Sequence, residues 1–157
     1  MPITIPLTPT ANSVWRLDVD TSATITPEWT QVRGCQSIGP VVNDSVQDAT
    51  DLDADGWGAD AITIKKWQVV LACLRKIDET GAQDVGQEAL RAAGEARELV
   101  HVRWYDRTPG GLGEAYEGYA LVQWTAQAGT AEGLQLVNVT LLGQGAREEI
   151  VNPVAGP

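Results

Sequence analysis

The sequence predicts a mainly β domain of the α+β kind, a β-sandwich or barrel with one flanking α-helix. Three observations lead there. About six segments alternate apolar and polar residues with the period of two that a half-buried strand imposes. Only residues 84–98 carry the 3.6-residue period of a helix. Between these segments lie turns rich in Gly, Asp and Thr, the punctuation of short antiparallel connections. An open α+β sheet is the alternative arrangement of the same elements.

The first twelve residues hold three prolines and no periodicity, and read as an N-terminal arm, 1–12. VWRLDV (14–19) places Trp15, Leu17 and Val19 on one face of a strand. EWTQVRG (28–34) is a second short strand, ended by Gly34. From Cys35 to Ala61 neither period appears. Such a stretch exceeds the about 12–15 residues that compact domains spend on structureless connections, so 35–61 is expected to be a long inter-strand loop, functional or disordered. AITIKKWQVVLACLRKI (61–77) reads as a long strand, apolar on both faces toward its end.

Asp84 followed by Gln87 has the spacing of a capping box and opens the helix. Val85, Ala89, Ala92, Ala93 and Ala96 form its expected inner face, with Arg91 and Glu95 as a solvent-side i,i+4 pair. LVHVRWYD (99–106), AYEGYALVQWTAQ (115–127) and LQLVNVTLLG (134–143) supply three more strands, separated by RTPGGLGE and AGTAEG. The tail, 147–157, reads as a C-terminal arm, and the whole of 1–157 as a single domain.

The 157 residues, 43% hydrophobic and 20% charged, suit one soluble domain with a sizeable core. A net charge of −10 repels nucleic acid and excludes a conventional binder held by phosphate contacts. No apolar run is long enough to span a membrane, and MPITIPLTPTANS lacks the regions of a secretory signal. Cys35 and Cys73 stand apart and far from any CxxC spacing, so two reduced thiols are expected, with a disulfide as the alternative. His101, the only histidine, lies opposite the apolar face of its strand, and a structural or surface role is expected. PGGLG (109–113) sits between strands without a following Lys-Ser/Thr, and reads as a hairpin turn instead of a phosphate loop. The 21 carboxylates follow no spacing rule. No catalytic constellation emerges, and neither enzymatic activity nor a cofactor is expected.

One motif invites a metal. In DLDADG, Asp51, Asp53, Asp55 and Gly56 match positions 1, 3, 5 and 6 of an EF-hand loop. The twelfth position is Ile62, where a bidentate Glu belongs, and the following ITIKKWQVV is strand-like instead of helical. A calcium-dependent binding module using Asp51, Asp53 and Asp55 therefore stays a minor alternative. Thr50, Asp51, Asp53, Asp55, Gly56 and Trp57 otherwise suit a turn-rich surface, since Asp builds tight turns on its own backbone and Gly56 supplies an unusual φ.

The order of these segments resembles the major tail proteins, or tail tube proteins, of long-tailed, non-contractile bacteriophages. The resemblance rests on the strand Trp29-Thr30-Gln31-Val32-Arg33-Gly34, on the acidic core Asp48 to Trp57, and on the strand around Trp67 with its following helix. It continues through the strand, Gly-rich turn and strand unit from Trp104 to Ala126, and through Gly143-Gln144-Gly145-Ala146-Arg147 leading to Asn152-Pro153. It covers roughly 13–153. The resemblance implies a structural virion protein that self-assembles into stacked hexameric rings, a tube through which DNA leaves without specific binding. It also implies that the acidic loop and Arg147 make subunit or ring contacts. Tape-measure, tail-tip and tail-terminator proteins follow as partners, and assembly in the bacterial host cytoplasm as the setting. A ring subunit of a contractile-tail or type VI-like injection tube is the related alternative.

Overall fold

The chain, in a computed structural model that describes residues 7–11 and 14–155, forms seven strands and one α-helix. They are β1 (Trp15–Asp20), β2 (Trp29–Gln31), β3 (Cys35–Asp48), β4 (Asp60–Leu74), α1 (Val85–Ala96), β5 (Leu99–Asp106), β6 (Ala115–Ala126) and β7 (Leu136–Glu149). All strands pair antiparallel in one sheet ordered β2-β1-β5-β6-β7-β4-β3. The class is the expected one, mainly β with a single flanking helix. Of the expected N-terminal arm, 1–6 and 12 lie outside the described residues, as do 156 and 157 of the C-terminal arm.

This one sheet folds over itself. β2 and β3 occupy its opposite edges, yet only residues 32–34 join them in the chain. Trp67 on β4 and Trp104 on β5 are separated in the sheet by β7 and β6, yet their rings lie 4.9 Å apart. At the seam, Val32 N donates to Leu17 O at 3.0 Å and Leu74 N donates to Gly34 O at 2.8 Å. Gly34 has φ 82°, and a Cβ there would collide with the Leu74 carbonyl, so the corner requires glycine on both counts.

Inside the fold, the period of two delivers Leu17 and Val19, Val102 and Trp104, Val137, Val139 and Leu141, and Trp67, Val69, Leu71 and Cys73 to one core. Gly143 and Gly118 border the Trp67 indole, with no room for a Cβ at either position. Between Gln144 and Glu148, β7 bulges out of register with β6, which advances only from Tyr119 to Glu117 opposite it. The bulge turns the Gly145 carbonyl to accept from Trp67 Nε1 at 3.0 Å, which satisfies the buried indole.

The helix starts as expected, with the Asp84 carboxylate accepting from Gln87 N at 3.0 Å. Its inner face differs from the expected one. Val85, Ala92 and Ala96 are exposed, while Gly86, Gln87 and Leu90 are buried. The cause is Gln87, which forgoes the reciprocal capping bond. Its Nε2 donates instead to Arg33 O at 2.6 Å and Leu74 O at 2.8 Å, and its Oε1 accepts from Arg75 Nη1 at 3.3 Å. One amide thereby ties α1 to both sides of the seam. A polar side chain becomes the most useful inward residue because it satisfies backbone carbonyls that an alanine stripe would leave bare.

Two more expectations change. The stretch 35–61 is mostly β3, and the true connection is only residues 49–59. Val41, Val42, Asn43, Asp44 and Val46 of this edge strand are all exposed, so burial imposed no alternation to read. The C-terminal segment docks on its own domain: Ile150 N donates to Ala115 O at 3.0 Å. The buried Asn152 donates to Asp106 O at 2.6 Å and Gly113 O at 3.0 Å, and accepts from Val154 N at 2.9 Å. Cys35 and Cys73, expected as two reduced thiols, are free, and they are cross-strand partners with their sulfurs 3.1 Å apart. Their mutual hydrogen bond holds Cys35 below its ordinary pKa and, with burial, pushes Cys73 up.

Candidate functional site: a projecting hairpin and the groove beside it

β4 is paired to β7 only from Gln68↔Leu142 to Leu74↔Leu136. Its first half, 60–66, pairs with β3 alone, and every one of those residues is exposed. The outer parts of β3 and β4 therefore project from the body as a two-stranded arm. Val42, Val46, Ile62 and Ile64 on this arm are 43 to 57% exposed. A two-stranded ribbon with bare apolar side chains is marginal alone in water, so such a surface calls for a partner.

The tip of the arm is a closed, locally bonded turn. Ala49 N donates to Ala59 O at 2.8 Å, and Thr50 Oγ1 accepts from Ala59 N at 2.9 Å. Asp48 accepts from Thr50 N at 2.9 Å, and bonds from Thr50 hold its carboxyl below the ordinary range. Asp51 caps a 3₁₀ turn, Leu52–Ala54, by accepting from Asp53 N at 3.1 Å. Asp55 and Gly56 follow in the left-handed region at φ 48° and 83°, and Trp57 N closes the turn on Ala54 O at 2.9 Å. Local bonds hold this shape, leaving Leu52 fully exposed and Trp57 81% exposed.

Thr50, Asp51, Asp53, Asp55, Gly56 and Trp57 are thus brought together at one tip, as a contact surface needs. Arg147 is not part of it. It lies on β7 beyond the end of the β4 pairing, with its guanidinium 4.0 Å from the Tyr116 ring centroid. Among the described residues, no group of three His, Cys, Asp or Glu side chains gathers closely enough to hold a metal ion, and Asp51, Asp53 and Asp55 do not converge.

Arg147 instead lines a groove of about 740 Å³ between the base of the arm and the β7 bulge. Val42, Ile64, Lys65, Lys66 and Gly145 line it with Arg147. This is the element that the sequence reading missed. Its signal was present in the IKK break in the alternation of β4 and in the paired glycines at 143 and 145.

His101 sits elsewhere, stacked on Tyr119 at 4.6 Å and against Trp29 at 4.8 Å, with Asp20 and Glu117 within 3.7 Å. Such close packing on three sides gives it a structural setting. Among the described residues, no helix is long and apolar enough to cross a membrane.

No protein-family model and no curated protein sequence matches the chain. Solved structures do. The chain is similar to the SPP1 tail tube protein, with TM-score 0.69 and 14% identity, over 91% of this chain and 81% of that one. It is similar to a chain in the tail of a gene transfer agent particle of C6 symmetry, with TM-score 0.70 and 15% identity, over 90% and 99%. A chain of the anti-feeding prophage baseplate matches with TM-score 0.63 and 11% identity, over 94% and 99%. The fold of this chain is the one those tail proteins share.

Proposed function

We propose that the chain is a structural tail tube subunit, not an enzyme, which self-assembles into stacked hexameric rings. The observation that carries this reading is the likeness, over nine-tenths of the chain, to the SPP1 tail tube protein and the gene transfer agent tail chain. The projecting arm supports it: apolar residues held out in water gain their burial when copies associate. Rings close through strand edges, and the arm joins one ring to the next. The charge of −10 suits a conduit, since an acidic wall lets DNA slide through without adhering. Tape-measure, tail-tip and tail-terminator proteins complete the assembly, which takes place in the host cytoplasm and ends in the virion tail.

The related reading, a ring of a contractile or type VI-like injection tube, draws on the likeness to the anti-feeding prophage baseplate chain. A co-purifying sheath protein separates the two.

Negative-stain electron microscopy of the purified protein, dilute and then concentrated, with and without a chelator, tests the proposal. The expected result is hexameric rings and hollow tubes that the chelator leaves intact. Monomers at every concentration would contradict it, and assembly lost on chelation would return weight to a calcium-dependent module.

A further inference from the structure

We infer that Cys35 and Cys73 form a redox site: Cys35 reacts with a small-molecule disulfide, and Cys73 resolves the adduct into a covalent staple across the seam. The inference goes beyond the assembly reading, since every observation behind it lies within one chain. The two residues are register partners on β3 and β4. In the adjacent pair Leu74 N donates to Gly34 O, so the cysteines occupy a non-hydrogen-bonded position of the antiparallel ladder. Side chains approach most closely at such positions. Their Cα atoms lie about 4.5 Å apart, inside the range of about 4.4–6.8 Å that a disulfide spans. The sulfurs already touch, at 3.1 Å. The ladder also shifts register between Cys35 and Ser37, and this irregularity lets the backbone adjust as the bond forms.

Access separates the two thiols. Cys73 is 1% exposed, whereas Cys35 is half-buried and lines a surface pocket of about 200 Å³ with Val32, Gly34 and Ile38. An oxidant therefore meets Cys35 first. The hydrogen bond from Cys73 holds this same thiol below its ordinary pKa, against burial and the Asp84 carboxylate, which favours the reactive thiolate. The Cys35 thiolate bonds to one sulfur of the small disulfide and expels the other as a thiolate. Capping Cys35 removes the hydrogen bond and the charge that push Cys73 up, leaving burial and Asp84 opposed by Arg75. Cys73 then loses its proton and attacks the Cys35 sulfur, forming the intramolecular bond and expelling the second thiolate. The chain gives up two electrons and two protons, and the small disulfide takes them and leaves as two thiols. The new bond closes a loop around the projecting hairpin. It lies beside Arg33 and Leu74, whose carbonyls hold the helix through Gln87. Under the proposed function the chain folds in a reducing cytoplasm and serves outside it, so the staple closes after folding.

The test uses the purified chain, first reduced and then incubated without denaturant in oxidised glutathione. Intact mass should fall by about 2 Da, the loss of two hydrogens, with no glutathione retained. The thermal midpoint should rise by at least about 5 °C, and dithiothreitol should reverse both changes. Cys73→Ser should stop at one glutathione adduct, whereas Cys35→Ser should take none in the same time. A wild type that carries two adducts, or reacts only once denatured, would overturn the inference. So would a Cys35→Ser variant that reacts as fast as wild type, or an oxidised chain that melts no higher than the reduced one. Where a serine variant does not fold, the wild-type mass and melt decide alone. None of these readouts involves tubes, so the outcome is independent of the assembly reading.

Discussion

The two halves of β4 are one continuous strand in two environments. From Trp67 to Cys73 the side chains at every second position are buried, with Val69 and Leu71 fully so. From Asp60 to Lys66 none is. Both halves pair with β3, so backbone hydrogen bonding does not separate them. Packing does: only the inner half has β7 on its other side and Trp104 across the folded sheet. The inner half is therefore stabilised by its own chain, whereas the outer half carries Ile62 and Ile64 at the expense of solubility. The comparison locates stability at one end of the strand and an uncovered apolar surface at the other, so under the proposed assembly mutations in the two halves should separate cleanly.

Replacement of Trp67 by Ala is the largest expected effect on stability. It empties the space bordered by Gly118 and Gly143 and orphans the Gly145 carbonyl. Chemical denaturation should show a loss of about 3–5 kcal/mol, the range for a buried aromatic truncated to Ala. A loss below about 1 kcal/mol would mean that the inner half is not the stabilising one.

Gln87→Leu comes next. The variant keeps the volume of the side chain but strips the donor from Arg33 O and Leu74 O at the seam. Leaving buried acceptors bare should cost about 2–3 kcal/mol. Hydrogen exchange should rise at Gly34 and Leu74 before it rises in β6.

The smallest effect is expected at Glu88, which pairs with Arg91 and Arg75. Arg91, and then Arg75, hold its carboxyl below the ordinary value of 4.5. A depressed folded-state pKa contributes stability that is complete above that ordinary value and fades as pH falls through the folded one. Glu88→Gln should therefore cost about 0.5–1 kcal/mol at pH 7, as partly exposed pairs do. The gap from wild type should close in melts recorded below pH 4.5; a gap independent of pH would assign the effect to packing.

The inner half was legible in the sequence because burial on one face writes a period of two, as at Trp67, Val69 and Leu71. The same rule explains what was not legible. β3 lies at an exposed edge, so Val41, Val42 and Val46 follow no alternation and the strand read as a loop. The helix was visible from Asp84 onward, but its rotation depended on Gln87 reaching residues 13 and 54 positions away, which no local pattern encodes. The tip was legible because Asp, Gly and Trp at those spacings make a turn through short-range bonds. The groove was not, since it joins β4 to the bulge of β7 far along the chain.

The division of β4 is tested most directly by deleting residues 46–58, which joins Ser45 to Ala59, removes the tip and takes the β3 partners from Asp60, Ala61 and Ile62. The deletion protein would be compared with wild type by thermal melting and, in the same preparation, by negative-stain electron microscopy. The account predicts a cooperative transition within a few degrees of wild type and no tubes at any concentration. Normal tubes from the deletion, or a chain that no longer folds, would contradict it.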